Sequence, residues 1–203
     1  MSGDFDEAYW EAHWQNAANR RPTSLPAHPA LMTELAGLQP GEAFEAGSGE
    51  GAEAIWLTAH GWNVTAADIS PEAITRAERR AGADIVSWIE ADLSTWEPPR
   101  QYDLVTTFYA HPAMPQNAFY ERISHWVAPS GTLLIVGHHH EHGHAHAHHQ
   151  QAVTAPDEIR ALLAPDHWEV HTAEIRERAI GPENGHGTTL RDVVVRARRI
   201  HHR

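Results

Sequence analysis

The stretch that decides this fold is Ala43-Phe44-Glu45-Ala46-Gly47-Ser48-Gly49-Glu50-Gly51-Ala52. A short apolar run is followed by three alternating glycines and then by a helical pattern over 52–60. Glycine lets the backbone turn sharply and approach a ligand closely, so the pattern predicts a strand, a tight turn and a helix. Glu45 lies two residues before the first glycine. A carboxylate there cannot hold a phosphate, but it can accept hydrogen bonds from hydroxyls or an ammonium.

The glycine loop by itself also fits another class of ligand. Gly47, Gly49 and Ala52 match the permissive dinucleotide pattern G-x-G-x-x-G/A, in which a pyrophosphate lies at a helix N-terminus. Loops of that kind normally follow an apolar strand end, whereas here an acid precedes the loop. The acid favours a ligand without phosphate, and a nicotinamide or flavin enzyme stays as the less favoured alternative.

Two further acids follow predicted strands. Asp68 ends the strand 63–67, and Asp92 follows the strand 85–89. In an open parallel sheet the carboxyl ends of the strands share one edge, where ligands bind. Three acids at that edge, Glu45 included, suit a ligand that carries an ammonium, a sulfonium and a ribose.

These segments resemble a known family. Glu45-Ala-Gly-Ser-Gly-Glu-Gly51 resembles motif I, [D/E]-x-G-x-G-x-G, of class I S-adenosylmethionine (SAM) dependent methyltransferases, and Ala91-Asp92-Leu93 resembles their adenine-binding segment. The resemblance implies that Glu45 faces the methionine end of SAM, that Asp68 accepts from the ribose and Asp92 from the adenine amino group. The predicted SAM-binding residues are Glu45, Ala46, Gly47, Ser48, Gly49, Gly51, Asp68, Ile69, Asp92, Leu93, Tyr109, Trp10 and Trp14.

The order of elements predicts the fold class. Five β-α units, with a helix over 116–127 and a fifth strand over 132–136, precede two strands at 168–180 and 190–196 that no helix separates. Strands joined in this way form an antiparallel hairpin. We therefore expect an α/β protein with a Rossmann-like, seven-stranded, mostly parallel sheet, a C-terminal antiparallel hairpin and helices on both faces. A dinucleotide domain would continue with parallel strands.

The segment after the fourth strand supplies the catalytic candidates. In the family, residues here lie beside the reactive methyl group. Tyr109 offers a π face and a hydroxyl, either of which favours a sulfonium, and His111 is the best-placed general base. The alternative for His111 is a histidine that merely packs the turn before Pro112.

Residues 1–40 are predicted to form a cap or lid over the site. The aromatic face formed by Tyr9, Trp10 and Trp14 suits either a helix packed on the core or a lid over the cofactor. The loop 20–30 holds three prolines and borders the site. We expect the whole chain, 1–203, to be a single methyltransferase domain.

A histidine-rich loop, 138–149, follows the fifth strand. Imidazole binds Zn, Ni, Cu and Co, so the loop predicts divalent-metal affinity. It could be a loop that binds metal adventitiously, a device for metal capture tied to the substrate, or a source of catalytic residues through His138 and His140. The predicted metal ligands are His138, His140, His142, His144, His146 and His148.

The amino-acid composition further narrows the kinds of protein that this chain could be. The 203 residues include no cysteine, which excludes disulfides, thiolate zinc sites and a cysteine nucleophile. The formal charge of −12 disfavours nucleic acid as a partner. With no membrane-spanning run or secretory pattern, we expect a cytoplasmic protein, monomeric or homodimeric, that binds no membrane.

The sequence thus predicts a SAM-dependent methyltransferase that acts on a small-molecule acceptor. It is closest to the tellurite-resistance and thiopurine methyltransferase-like group, although Ser48 stands where that group often has cysteine. The alternatives are a metal-handling or metal-sensing protein on a methyltransferase scaffold and, less favoured, an NAD-dependent Rossmann oxidoreductase.

Overall fold

The computed structural model describes residues 5–17, 26–139, 154–180 and 188–201. Within them one sheet has the strand order β3-β2-β1-β4-β5-β7-β6. The strands are β1 (Glu42–Ala46), β2 (Asn63–Asp68), β3 (Ser87–Glu90), β4 (Tyr102–Phe108), β5 (Val127–His138), β6 (Trp168–Ile180) and β7 (Thr188–Arg199). The helices are α1 (Glu7–Ala17), α2 (Pro29–Glu34), α3 (Ala52–Ala59), α4 (Pro71–Glu78), α5 (Gln116–Ser124) and α6 (Pro156–Leu162).

The pairing confirms the predicted fold class. Strands β1 to β5 run parallel, and β7 is antiparallel to both β5 and β6. Strand β1 lies between β2 and β4. The connection after β1 therefore leads to one side of the sheet, and the connection after β4 leads to the other. Loops that diverge at such a switch point open a crevice at the carboxyl ends of the strands.

The helices cover both faces of the sheet because successive strand residues point to opposite sides. On one face Leu133 and Ile135 belong to a buried cluster with Phe119 of α5 and with Ile159 of α6. On the other face Leu134 and Val136 join Leu31 of α2 and Leu57 of α3.

Several boundaries differ from the sequence prediction. The strand predicted over 85–89 begins only at Ser87, because Ala83–Ile85 form a short 3-10 helix. The start of β5 differs most. The helix predicted over 116–127 ends at Ser124, and Val127 already begins β5. The ladder of β5 with β4 starts at the pair Tyr102–Val127 and shifts register before Leu104. Ser130, at φ 69°, therefore lies within a bulged strand instead of in a turn that precedes one.

Candidate active site

A cavity of about 740 Å³ lies at the carboxyl ends of the strands. Its wall draws on α1, the glycine loop, the segments after β2, β3 and β4, the end of β5 and the β6–β7 hairpin. A volume of this size is typical of pockets that enclose a small organic ligand. The cavity is the natural centre of the functional site.

The glycine loop lines this cavity and passes close to the side chains of Ala110 and Trp14. Gly47 has φ 77°, and a Cβ there would lie 2.3 Å from the Cβ of Ala110. A Cβ on Gly49, at φ 51°, would lie 3.0 Å from the Trp14 ring. The amides of Gly47 and Ser48 both donate to the carbonyl of Ala67, at 2.8 and 3.0 Å. Larger residues would neither fit nor adopt this backbone easily.

Glu45 is a buried acid without a hydrogen-bond partner. Its side chain is 1% exposed, and neither carboxylate oxygen has a partner within the described residues. Burial, followed by the nearby charges of Glu53 and Asp68, raises the pKa of Glu45 well above its ordinary value. Since a buried carboxyl group without a partner is costly, the arrangement calls for a cation or a hydrogen-bond donor at this point.

Asp68 lines the cavity and braces the loop opposite. Its Oδ2 accepts from the Gly49 amide at 2.8 Å, and its Oδ1 accepts from the Ser70 amide at 3.0 Å. Burial raises the pKa of Asp68, although the hydrogen bonds from Ser70, Gly49 and Ile69 oppose the rise. The carboxylate is thus fixed in position at the end of β2.

Asp92 stands at the corresponding position after β3. Its Oδ1 accepts from the Ser94 amide at 2.9 Å and from the Ser94 hydroxyl at 2.6 Å. Leu93 and Ile69 line the cavity beside it, so an acid and two apolar side chains meet at this end. This is the combination that the sequence predicted for an adenine site.

The structure brings most of the predicted cofactor residues together, but three of them do not line the cavity. Those that line it are Trp10, Trp14, Gly47, Ser48, Gly49, Asp68, Ile69, Asp92, Leu93 and Tyr109. Glu45 and Ala46 belong to β1, and the Ala46 carbonyl accepts from the Thr107 hydroxyl at 2.9 Å. Gly51 is the N-cap of α3, where a Cβ would lie 2.3 Å from the Trp88 ring.

Tyr109 is held by its hydroxyl. This oxygen accepts from Arg178 Nη2 at 3.1 Å. Burial and then the interaction with Asp192 raise the pKa of the phenol, so Tyr109 stays protonated and is no base. Its ring stacks on His138 with a centroid distance of 4.4 Å. A ligand in the cavity can therefore contact the ring of Tyr109.

His111 lines the cavity in a defined tautomer. Its Nδ1 lies 3.0 Å from Gln116 Oε1, and Gln116 Nε2 donates to the Ala110 carbonyl at 2.9 Å. Because the amide nitrogen is the donor, Oε1 accepts, and this network assigns the proton to Nδ1 of His111. In the neutral ring Nε2 then carries the lone pair, as a general base requires.

Sequence reasoning missed four connected residues of the site, His28, Glu53, Arg178 and Asp192. Buried Asp192 accepts at Oδ2 from Arg178 Nε at 2.9 Å, and the same oxygen lies 3.1 Å from His28 Nε2. The His28 amide in turn donates to Glu53 Oε1 at 2.9 Å. Glu53 could have been noticed as a first-turn acid of α3. The contact between His28 and Asp192 joins positions far apart in sequence, and no local pattern signals it.

The charge states within this network follow from its contacts. Burial opposes ionisation of Asp192, but hydrogen bonds from Arg178, Tyr109 and His28 outweigh it and lower its pKa. Burial lowers the pKa of His28, although the hydrogen bond to Asp192 acts to raise it. The Ala30 amide donates to His28 Nδ1 at 3.1 Å, so the proton of the neutral ring lies on Nε2 and is donated to Asp192.

Helix α1 covers the cavity, as expected for a lid. Trp10 Nε1 donates to the His111 carbonyl at 3.0 Å. Glu11 Oε2 accepts from the Ser70 hydroxyl at 2.7 Å and from the Glu72 amide at 3.1 Å, at the start of α4. Since Trp10 and Trp14 line the cavity, these bonds hold two indole rings over it.

We expect Glu11→Ala to loosen this helix. Loss of two hydrogen bonds to a carboxylate should raise the dissociation rate of S-adenosylhomocysteine (SAH) about tenfold. Stopped-flow tryptophan fluorescence measures the rate, and Glu7→Ala, at an exposed position of the same helix, is the control. An unchanged rate in Glu11→Ala would exclude α1 as a lid.

Of the predicted metal ligands, only His138 lies within the described residues. It ends β5, lines the cavity and stacks between Tyr109 and His111, 5.7 Å from the latter ring. His140, His142, His144, His146 and His148 lie outside the described residues. In the described part of the chain no group of three or more His, Asp or Glu side chains could hold a metal ion.

The described residues fit SAM. The unpartnered carboxylate of Glu45 calls for a cation, and the buried hydroxyl of Ser48 also has no partner within the described residues. Gly47 and Gly49 let the loop pass close to Ala110 and Trp14, where any Cβ would collide or be crowded. Asp68 and Asp92 supply acceptors where a ribose and an adenine would lie.

Comparison with known proteins gives the same family. Residues 43–131 match the sequence profile of the methyltransferase domain. The chain is 25% identical over 187 residues to probable thiol methyltransferase 2 of Arabidopsis thaliana, covering 87% of this chain and 80% of that protein.

Two solved structures have a similar fold. The DhpI–SAH complex is 26% identical with a TM-score of 0.59, over 96% of this chain and 89% of that one. The 1,6-didemethyltoxoflavin-N1-methyltransferase of Burkholderia thailandensis, with its substrate and SAH bound, is 21% identical with a TM-score of 0.62, over 96% and 87%.

Within the described residues no helix has both the length and the apolar character needed to cross a membrane. The sheet order with its C-terminal hairpin, the acids after three successive strands and the match to the methyltransferase domain agree with one another. Together these findings support a class I SAM-dependent methyltransferase.

Proposed function

We propose that this methyltransferase transfers the methyl group of SAM to a small-molecule acceptor that enters between α1 and the β6–β7 hairpin. The observation that carries the proposal is the buried, unpartnered carboxylate of Glu45 beneath the glycine loop. A cationic ligand without phosphate satisfies such a group, whereas a dinucleotide does not. SAM, when bound, supplies an activated methyl group on a sulfonium.

Each side chain at the cofactor end has a proposed role. Glu45 would hold the ammonium of the methionine moiety. Asp68 would accept from the ribose hydroxyls and Asp92 from the adenine amino group, while Ile69 and Leu93 enclose the ring. Trp10 and Trp14 would cover the ligand and exclude water, which strengthens each electrostatic contact inside.

At the acceptor end the protein positions the nucleophile and takes its proton. The neutral His111 ring, with its proton on Nδ1, would accept at Nε2 a proton from a thiol, hydroxyl or amine. The ring of Tyr109 presents a π face that favours a positive charge. The name of the Arabidopsis relative supports a thiol as the acceptor group.

The proposed function is tested by calorimetric titration of metal-free protein with SAM, SAH and NADH. We expect micromolar binding of both sulfur ligands and none of NADH. Binding of NADH alone would return the chain to the dinucleotide class, and failure of all three to bind would refute a functional cofactor site.

We expect His111→Ala to reduce methyl transfer to 2-mercaptoethanol about 100-fold at pH 7, because a neutral thiol needs a base. The defect should shrink at pH 9, where the thiol ionises without help, and SAH affinity should not change. The control is His125→Ala, at the exposed C-terminus of α5. Unchanged turnover at pH 7 would remove His111 from the mechanism.

We also propose that residues 138–149 bind a divalent metal such as Zn, Ni, Cu or Co through their imidazoles. The sequence carries this proposal, since eight of these residues are histidine. Titration of the wild type with zinc and nickel tests it. The same titration is made on a variant in which alanine replaces His142, His144, His146 and His148. Equal metal affinity of the two proteins would refute it.

Three broader predictions remain proposals. Residues 1–203 would form one methyltransferase domain in which 1–40 cover the cofactor. The protein would act in the cytoplasm, without nucleic acid or membrane as a partner, as a monomer or homodimer. Its place in the tellurite-resistance and thiopurine methyltransferase-like group agrees with the thiol methyltransferase relative.

A further inference from the structure

The cavity lining includes carboxylates after β2 and β3 and a guanidinium on the hairpin side. Asp68 and Asp92 line it after β2 and β3, on one side of the switch point between β1 and β4. Arg178 lines it from β6, which lies three strands beyond β4 in the sheet order. The carboxylates suit a cationic methyl donor, and the hairpin side presents a guanidinium instead.

Arg178 is fixed in place at the cavity wall. Its Nε donates to Asp192 at 2.9 Å and its Nη2 donates to the Tyr109 hydroxyl at 3.1 Å. These bonds use two of its three nitrogens, and within the described residues Nη1 has no hydrogen-bond partner. The side chain is 29% exposed, so it retains access to a ligand. A guanidinium held in this way keeps its geometry before a ligand arrives, which lowers the entropy cost of binding.

The side chains around Arg178 are mostly apolar or aromatic. Tyr109, His138, Ala179 and Leu190 line this side of the cavity with it. Glu53 also lines the cavity and interacts with the charge of Arg178. Buried Asp192 accepts from Arg178 and His28 at the same oxygen, Oδ2. A ligand group that meets Nη1 therefore faces a cation, and a cation favours a negatively charged partner.

The other arginine among the described lining residues is Arg80. Its Nη1 donates to the Glu50 carbonyl in the glycine loop at 2.9 Å, which places it at the cofactor end. The two arginines thus belong to different ends of the cavity, and Arg178 is the cation on the hairpin side.

We propose that Arg178 binds a carboxylate on the methyl acceptor, so that the enzyme selects organic anions with an apolar body. The inference rests on the proposed function, since it assumes that the cofactor occupies the end lined by Asp68 and Asp92. Arg178 would then be a residue that determines specificity through direct contact with the acceptor.

The test compares 3-mercaptopropionate with its methyl ester, which lacks the negative charge and is larger by one methyl group. Each is titrated calorimetrically into the full-length protein with and without saturating SAH, which prevents turnover. We expect the wild type to bind the acid about 10- to 100-fold more tightly than the ester, the range for a charge-assisted hydrogen bond. Arg178→Gln should reduce that ratio to about one and leave SAH affinity within about twofold, whereas Arg178→Lys should retain part of the preference.

Arg198→Gln is the matched control, because it removes the same charge from an exposed position of the neighbouring strand β7. It should leave the acid-to-ester ratio unchanged. Equal binding of acid and ester by the wild type, or no measurable binding of the acid, would overturn the proposal. So would an Arg178→Gln variant that loses affinity for SAH as well as for the acid. If SAH itself fails to bind the wild type, the proposed function fails, while the ratio measured without SAH still decides the role of Arg178.

Discussion

Glu45→Gln should weaken SAM and SAH binding about 100-fold while leaving the unliganded protein folded. The buried carboxylate has no hydrogen-bond partner within the described residues, so its replacement breaks no contact in the unliganded state. The loss appears only with ligand, where a charge-assisted bond to an ammonium is removed. Isothermal calorimetry measures the affinity, and urea denaturation measures the free energy of unfolding.

Glu42→Gln is the control for this substitution. Glu42 lies in the same strand but contacts Asn63 and Arg100 near the surface. We expect its SAH affinity to equal that of the wild type. If Glu45→Gln binds SAH as tightly as the control, Glu45 does not hold the ligand. The lack of hydrogen-bond partners at its carboxylate then has another cause.

The raised pKa of Glu45 adds a dependence on pH with a definite sign. A carboxyl group with a raised pKa binds its proton more tightly in the folded state than in the unfolded state. Its contribution to stability is fully present below the ordinary value of 4.5 and is lost as the pH rises toward the folded-state pKa. Relative to Glu45→Gln, the unliganded wild type should thus lose up to about 1.4 kcal/mol of unfolding free energy per pH unit in that interval. If the difference in unfolding free energy between the two proteins stays constant from pH 5 to pH 8, this account is contradicted.

Asp192→Asn should lower the free energy of unfolding by about 3–5 kcal/mol, the cost of breaking a buried ion pair by removal of one partner. Asp192 is 1% exposed, and its Oδ2 accepts hydrogen bonds from Arg178 and His28. The amide keeps the shape of the carboxylate but leaves the guanidinium without its counter-charge. Chemical denaturation measures the loss.

Asp166→Asn, in an exposed turn before β6, removes the same charge and should change stability by less than about 0.5 kcal/mol. A loss of under 1 kcal/mol in Asp192→Asn would mean that the network around Asp192 contributes little to stability. Arg178 would then be oriented by something other than that carboxylate.

The grouping of the proposed cofactor residues around one cavity was predictable from sequence because its signals are local. Glycines at positive φ and acids at strand ends follow from the order of residues along β-α units, and Gly47, Asp68 and Asp92 line the same cavity. The spacing of aromatic residues on one short helix predicted that Trp10 and Trp14 share a face, and both line that cavity.

The acceptor end was not predictable in the same way. Arg178 and Asp192 lie on strands that carry several charged residues each, and nothing in the local sequence distinguishes one charged residue from the next. Their roles come from pairing in space, since Arg178 reaches Tyr109 across 69 positions of sequence. The start of β5 was misassigned for a related reason, because the pair Tyr102–Val127 makes Pro129-Ser130-Gly131 part of a strand.

His28 connects the two ends of the cavity. Its amide bonds to Glu53 and its ring bonds to Asp192, so a change in the charge of Glu53 reaches the hairpin through two hydrogen bonds. Occupancy of one end can then alter the affinity of the other, and thermodynamic reciprocity requires the same factor in both directions. A factor above one would mean that donor and acceptor each bind more tightly when the other is present, and the enzyme would release its demethylated donor more readily once the methylated product has left.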